Sequence, residues 1–337
     1  KKKIRIGNAV TEYYYNASLS KLSQVADKKY SVVLTDENIY RHHEKLLKGW
    51  NTIVLKPGEE FKVQQTADAV IESLIEMEAD RKTTLIGIGG GVITDLAGYV
   101  GATYMRGIRV GFVPTSLLAM VDASIGGKNG VDVGLYKNLV GTIRQPAFLF
   151  FDVALLKTLP DSEWQNGFAE IIKHACIKDA TMFRDLYAHD ISWYKSKKTA
   201  LAELVKRNAL LKTRVAQGDE TEQGERKLLN FGHTLGHALE NQFELSHGQA
   251  VSIGMTYAAH LSESLAGFKG RVKVVELLEK YRLPTYAEFD RTKVFEVLKH
   301  DKKRERDSLH YILLNRIGKG VIQTLPLDEV KKIVEQL

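Results

Sequence analysis

Thr84-Leu85-Ile86-Gly87-Ile88-Gly89-Gly90-Gly91-Val92-Ile93-Thr94-Asp95 decides the fold class. Residues 84–88 read as a buried strand, and the glycines behind them allow a tight turn into a closely packed helix. A glycine turn at a helix N-terminus lets backbone N–H groups approach a diphosphate where the helix dipole is positive. The spacing is not the usual G-x-G-x-x-G fingerprint, and it lacks the lysine of a P-loop. A purely structural turn is the competing reading. Outward from this stretch, residues 30–34, 52–55, 110–113 and 148–151 are further short β-rich runs, and they alternate with helical patterns such as 66–77. That alternation predicts a parallel sheet with crossover helices.

After Pro160 the period becomes 3.6, and residues 163–177, 201–215, 228–242, 250–265 and 272–281 are predicted helices. A small hairpin is expected from 311–314 through Gly318-Lys319-Gly320 into 321–325, followed by an amphipathic helix from Asp328. The organisation expected is an α/β nucleotide-binding domain over 1–159 and a mainly helical domain over 160–337. No linker separates them and no repeat is visible, so they are expected to pack together with a site between them.

The chain has 337 residues, 44% apolar and 26% charged, which excludes disordered and low-complexity classes. Its 48 Lys and Arg against 41 Asp and Glu give a net charge of +7. That balance suits an anionic substrate and is too mild and scattered for nucleic acid. The single cysteine, Cys176, allows no internal disulfide, so a reducing cytoplasm is the expected compartment. Lys1-Lys2-Lys3-Ile4-Arg5-Ile6 is not followed by an apolar signal region. The least charged run, 85–105, contains six glycines and Asp95 and is not a membrane span.

Three groups of residues carry chemistry. Asp36 and Asn38 end a strand and can accept from ribose hydroxyls, while Glu59 and Lys62 stand three apart in Pro57-Gly58-Glu59-Glu60-Phe61-Lys62; helix caps and solvated loops look the same. Glu170 lies in an apolar segment where a lone carboxylate would be costly, so it asks for a cation. His233 and His237 stand at i and i+4, and His247 follows at the mouth of the next helix. One carboxylate with two neutral imidazoles is the ligand set of a catalytic zinc, but spacing does not choose two of the three histidines. Glu240 stands on the wrong side of the pair for a metalloprotease motif. Arg106, Lys128, Lys137, Lys173, Lys212, Arg226, Lys302 and Lys303 sit beside glycine, asparagine or acidic residues, and Lys128 in Gly126-Gly127-Lys128-Asn129-Gly130 suits an anion best.

With these segments in view, the chain resembles the 3-dehydroquinate synthases of the sugar-phosphate cyclase superfamily from about Asp36 to Lys303. The ordered motifs are Gly-Gly-Gly-Val-x-x-Asp at 89–95, Tyr104-Met105-Arg106-Gly107, Pro114-Thr115-Ser116-Leu117-Leu118-Ala119-Met120-Val121-Asp122, Gly126-Gly127-Lys128, Lys137-Asn138, Ala169-Glu170-Ile171-Ile172-Lys173, Gly232-His233-Thr234-Leu235-Gly236-His237 and Asp301-Lys302-Lys303.

The resemblance implies a Rossmann-like N-terminal domain, a helical metal-binding domain, and zinc or cobalt on Glu170, His233 and His247. It implies NAD contacts at Asp36, Asn38, Glu59, Lys62, Gly90, Gly91, Asp95, Thr115, Ser116 and Thr158, with Lys128 and Lys137 bordering both sites. Substrate contacts fall on Asp122, Lys128, Lys137, Asn138, Lys173, Lys212, Arg226, Asn230, His237 and one of Lys302 and Lys303. Arg106 would reach over from a second subunit of a homodimer. The implied substrate, 3-deoxy-D-arabino-heptulosonate 7-phosphate, carries a carboxylate suited to Lys212 and Arg226. Its phosphate suits Lys128, Asn138, Asn230, His237 and Arg106. Tyr136, Asn129 and Ser162 stand where the family usually has glycine, threonine and arginine. A sister cyclase would lack a substrate carboxylate to bind, a metal-dependent polyol dehydrogenase would release NADH, and a binding module would need none of these groups.

Overall fold

The computed structural model describes every residue except 135, 241, 242, 244, 300–303, 306 and 337, and every side chain except those and 299, 304, 305 and 336. The chain forms two compact units, Lys1–Pro160 with Lys197–Thr221, and Asp161–Ser196 with Glu222–Leu337. Among the described residues no helix is long and apolar enough to cross a membrane.

The first unit is built on a seven-stranded sheet. In chain order its strands are β1 (Lys2–Ile6), β2 (Ala9–Tyr14), β3 (Ser31–Asp36), β4 (Asn51–Leu55), β5 (Thr84–Gly89), β6 (Arg109–Pro114) and, after a separate hairpin of β7 (Lys128–Val133) and β8 (Tyr136–Ile143), β9 (Phe148–Phe150). The spatial order is β1-β2-β9-β6-β5-β3-β4. All pairs are parallel except β1 with β2. The expected parallel sheet is thus present, and β1–β2 and β7–β8 are hairpins that the β-rich runs did not announce.

The decisive stretch sits at the middle of this sheet. Ile86 and Ile88 on β5 pack in a core with Val33, Val113 and Phe148. On the opposite face the Gly91–Thr103 helix lies against the strand: a Cβ at Gly87 would come 2.8 Å from Ala97 Cβ, and one at Gly89 2.5 Å from Ile93 Cβ. These two glycines are therefore packing residues that set the helix on the strand.

The Lys198–Gly218 helix corrects the expected division at 160, because it belongs to the first unit. Its Thr213 hydroxyl bonds Tyr13 at 2.9 Å, and Gln217 Nε2 donates to the Arg5 carbonyl at 2.7 Å. Helical periodicity shows that a segment has an apolar face and says nothing about which body that face joins.

The second unit is helical around the Asp161–Lys178 and His247–Ala266 helices, which pack on each other. Its three-stranded sheet runs β10 (Arg304–Glu305), β11 (Ser308–Arg316), β12 (Lys319–Pro326), followed by the Leu327–Gln336 helix. The predicted helix over 228–242 is two pieces, a 3-10 segment Glu225–Asn230 and an α-helix His233–Glu240. Gly232, at φ +80°, breaks it, and Arg226 therefore lies outside the helix that carries His233.

Replacing Gly89 by Ala should lower stability by about 1–3 kcal/mol through overpacking against Ile93. Gly90→Ala, where the nearest atom to a Cβ is Ser116 Oγ at 3.5 Å, should cost less than about 1 kcal/mol. Urea unfolding of the two variants compares them, and equal losses would contradict the assignment of Gly89 to packing.

Candidate metal centre and nucleotide loop

Glu170 is fully buried in the interior of the Asp161–Lys178 helix, between Ala169 and Ile171. Lys173, three residues on and equally buried, pairs with its carboxylate. One turn before Glu170, Asn166 anchors the next element: its Oδ1 accepts from Ser246 Oγ at 2.7 Å and from the Gly248 N–H at 3.1 Å. Ser246 and Gln249 form a capping box that starts the His247–Ala266 helix, so His247 occupies its first turn. The His233–Glu240 helix approaches the same helix through glycines. A Cβ at Gly232 would lie 2.5 Å from Met255 Cγ, one at Gly236 3.0 Å from the Ala250 carbonyl, and one at Gly254 1.9 Å from the Gly232 carbonyl. The result brings the His233 and His247 rings to 5.4 Å between centroids.

Both imidazoles turn Nε2 toward the same oxygen, Glu170 Oε1, at 3.4 Å from His233 and 3.2 Å from His247. Their Nδ1 atoms have other partners. His233 Nδ1 lies 3.2 Å from the Phe231 carbonyl, and His247 Nδ1 lies 3.2 Å from Glu240 Oε1. A carbonyl and a carboxylate can only accept, which assigns the proton to Nδ1 in each neutral ring and leaves the Nε2 lone pairs facing a carboxylate oxygen. Three electron-rich atoms converging in this way call for a cation among them. Ligand atoms of Glu170, His233 and His247 lie within 4.8 Å of one another, so the donor set and its spacing suit a divalent ion of the zinc type. His237, at 5.2 Å and 6.4 Å from the other two rings, flanks the group on the same helix face as His233.

The charges follow. Burial pushes the Glu170 carboxyl up, but the Lys173 ammonium and the imidazoles overcome it and hold it well below the usual carboxylate range. Burial, with Lys173 nearby, pushes His233 down to about 4. Burial also opposes a charge on His247, yet its hydrogen bonds to Glu170 and Glu240 push it up to about 10.

In the first unit the glycine turn behaves differently at its two ends. Gly90 has φ −74°, which any residue adopts, and a Cβ on Gly90 or Gly91 would meet nothing closer than 3.5 Å or 3.4 Å. Neither backbone conformation nor protein packing demands glycine at 90, which leaves room beside the helix N-terminus for a ligand's approach. Lys62 is buried among three carboxylates, at 2.6 Å from Glu59, 3.6 Å from Asp95 on the helix that follows the turn, and 3.9 Å from Asp132. Burial would lower the Lys62 ammonium, and the three acids hold it above the ordinary lysine range. Burial raises Asp95 to about 7 against the pull of Lys62.

A family model described as 3-dehydroquinate synthase N-terminal matches residues 52–166, and one described as 3-dehydroquinate synthase C-terminal matches 167–304. The 3-dehydroquinate synthase of Pyrococcus abyssi (strain GE5 / Orsay) is 40% identical over 288 residues, 85% of each chain. This chain belongs to the 3-dehydroquinate synthase family. Two solved structures share its fold. One is 2-deoxy-scyllo-inosose synthase complexed with carbaglucose-6-phosphate, NAD+ and Co2+, at 24% identity and TM-score 0.84 over 99% of both chains. The other is 2-epi-5-epi-valiolone synthase from Streptomyces hygroscopicus subsp. jinggangensis 5008 with NAD+ and Zn2+ bound, at 24% identity and TM-score 0.83 over 100% and 99% of the chains.

The positions expected from the 3-dehydroquinate synthase family fall into groups within each unit. The second unit gathers Glu170, Lys173, His233, His237 and His247. Asn230 donates to Glu222 Oε1, and Arg226 is buried in the same 3-10 segment. In the first unit Glu59, Lys62 and Asp95 form one cluster, and Lys212 donates to the Asp122 carbonyl at 2.7 Å and lies 2.8 Å from its carboxylate. Thr115 donates its N–H to the Gly89 carbonyl at 2.9 Å, and Ser116 Oγ accepts from Ala119 at 3.2 Å, both behind the glycine turn.

Other positions stand apart from these clusters. Asp36 caps the Glu37–Leu47 helix, accepting from Asn38 and Ile39, while Asn38 is exposed. Exposed Thr158 bonds the Leu155 carbonyl. Lys128, Lys137 and Asn138 are exposed on the β7–β8 hairpin, where the Asn138 N–H donates to Asp132 at 2.6 Å. Arg106 is exposed on a turn whose residues Met105, Arg106 and Gly107 all have positive φ. Lys302 and Lys303 lie outside the described residues. Of the unusual positions, Asn129 braces the turn by donating to the Gly127 and Arg144 carbonyls, while Tyr136 and Ser162 are exposed. Asp132 and Glu240 are partners that the sequence reading did not place in either site. Nothing in the spacing announces Asp132, whereas Glu240 stands seven residues after His233, on the same helix face.

Zinc binding at pH 7.5 should displace one proton per ion, because the bonds to Glu170 and Glu240 hold a proton on His247 while burial keeps His233 neutral and Lys173 keeps Glu170 ionised. Calorimetry in buffers of different ionisation enthalpy counts that proton. Binding without proton release would contradict the charge assignment.

Proposed function

We propose that the chain is a carbon–oxygen lyase that converts 3-deoxy-D-arabino-heptulosonate 7-phosphate into 3-dehydroquinate and phosphate, a cytoplasmic step of the shikimate pathway toward aromatic amino acids. The observation that carries this reading is the convergence of the two Nε2 atoms of His233 and His247 on the buried Glu170 carboxylate, in a chain of this family. Glu170, His233 and His247 would hold zinc or cobalt, which polarises the substrate hydroxyl that is oxidised. Gly90, Gly91, Glu59, Lys62 and Asp95, with Asp36, Asn38, Thr115, Ser116 and Thr158, would hold NAD, which would supply a hydride acceptor for the oxidation and a donor for the later reduction, with no net redox change.

The chain's own side chains do the remaining work. Lys173 keeps Glu170 ionised. Arg226 and Lys212 bind the substrate carboxylate, and Lys128, Asn138, Asn230 and His237 bind the phosphate. Elimination breaks the carbon–oxygen bond to phosphate, and the departing phosphate accepts the neighbouring C–H proton; ring opening and an intramolecular aldol step then close the carbocycle. Lys137 and one of Lys302 and Lys303 complete the cationic lining.

In this reading the enzyme is a homodimer, with Arg106 of one chain serving the other's site. Support comes from the exposed, backbone-strained turn that presents Arg106, and from the apolar side chains exposed on the hairpin, among them Val133, Tyr136, Leu139 and Ile143.

Assaying phosphate release from the heptulosonate should give turnover without accumulation of NADH. Arg226→Ala should lower kcat/KM by about one to two orders of magnitude, the worth of a charge-assisted hydrogen bond. Steady NADH formation from a polyol, or phosphate release only from a sugar phosphate lacking the carboxylate, would overturn the reading. Sedimentation of the same preparation should give a dimer, and a monomer would remove the role of Arg106 across subunits.

A further inference from the structure

Glu240 closes the His233–Glu240 helix, and its side chain is almost wholly buried. A carboxylate takes on a desolvation cost in such a place unless it meets a donor. Its Oε1 lies 3.2 Å from His247 Nδ1, while His247 Nε2 lies 3.2 Å from Glu170 Oε1 on the other side of the ring. The imidazole is thus held between two carboxylates, one from each flanking helix. The two proposed histidine ligands differ here, since His233 Nδ1 rests on a neutral backbone carbonyl. The helix links them as well: His233, His237 and Glu240 stand at i, i+4 and i+7, so the element that supplies one ligand also orients the other.

We propose that Glu240 is a positioning residue for the metal: it fixes His247 as the Nδ1–H tautomer, points Nε2 at the ion and raises the ring's strength as a donor. This rests on the assignment of Glu170, His233 and His247 as ligands. Glu240 itself faces the far side of the ring and bonds no metal.

The test measures zinc affinity by competition with a chromophoric chelator, on the full chain, for wild type, Glu240→Gln and Glu240→Ala. Removing such an outer partner raises the metal dissociation constant by about 10–100-fold, expected for Glu240→Ala. Glu240→Gln keeps an accepting oxygen without its charge and should fall between the two. The electronic spectrum of the cobalt-loaded forms gives a second readout, with altered ligand-field bands in Glu240→Ala and near-wild-type bands in Glu240→Gln. If Glu240 served only to hold the helix, both variants would lose thermal stability equally with and without zinc, and affinity would stay at the wild-type value; that result overturns the proposal. Wild-type protein that binds no zinc would overturn the ligand assignment along with it, whereas tight wild-type binding matched by Glu240→Ala overturns this inference alone.

Discussion

A carboxylate with no exposed surface, Glu170, is the constraint around which the second unit is arranged. Placing that charge among Ala169, Ile171 and Ile172 is unfavourable unless cations and donors surround it. Lys173 supplies one positive charge, and the two imidazoles turn their Nε2 atoms to one oxygen of the carboxylate, a donor set that suits a divalent cation. The supporting structure serves this geometry. Asn166 joins the start of the His247 helix to the Glu170 helix, and the glycines at 232, 236 and 254 let the histidine-bearing helices approach closely enough for their rings to share one oxygen.

The first unit uses the opposite arrangement, a buried cation among carboxylates. Lys62 holds together Glu59, Asp95 from the helix after the glycine turn, and Asp132 from the hairpin. Three acids around one lysine leave accepting oxygens for hydroxyl donors, while the helix N-terminus at Gly90 and Gly91 offers N–H groups to anions. In the function proposed above these groups would meet the ribose and the diphosphate of NAD. Asp132 also accepts from the Asn138 backbone, so the same lysine that pairs with Asp95 behind the glycine turn steadies the hairpin carrying Lys137.

Much of this was legible in the sequence because it depends on local patterns. The strand at 84–88 and the glycine turn after it are set by short-range sterics, and so are the helices around Glu170 and His247. Where partners are distant the sequence is silent. The 228–242 pattern has helical period throughout, and only the structure shows that Gly232, where a Cβ would lie 2.5 Å from Met255 Cγ, takes φ +80° and divides it. The Lys198–Gly218 helix has an apolar face whose partner, the first unit, no periodicity identifies. Spacing alone does not choose among His233, His237 and His247; the rings whose Nε2 atoms meet at Glu170 Oε1 are those of His233 and His247, brought there by contacts between distant helices. Glu240 has the helical spacing to share a face with His233, but spacing does not show that its partner is His247 on the next helix.

The central claim is that one divalent ion sits among Glu170, His233 and His247. Anomalous diffraction from zinc-loaded crystals, recorded above and below the zinc absorption edge, tests it directly. The account predicts one strong anomalous peak per chain, about 2.0–2.2 Å from a Glu170 oxygen and from both Nε2 atoms. A peak bound through His237 in place of His233 or His247, or no peak at this centre in an active preparation, would contradict it.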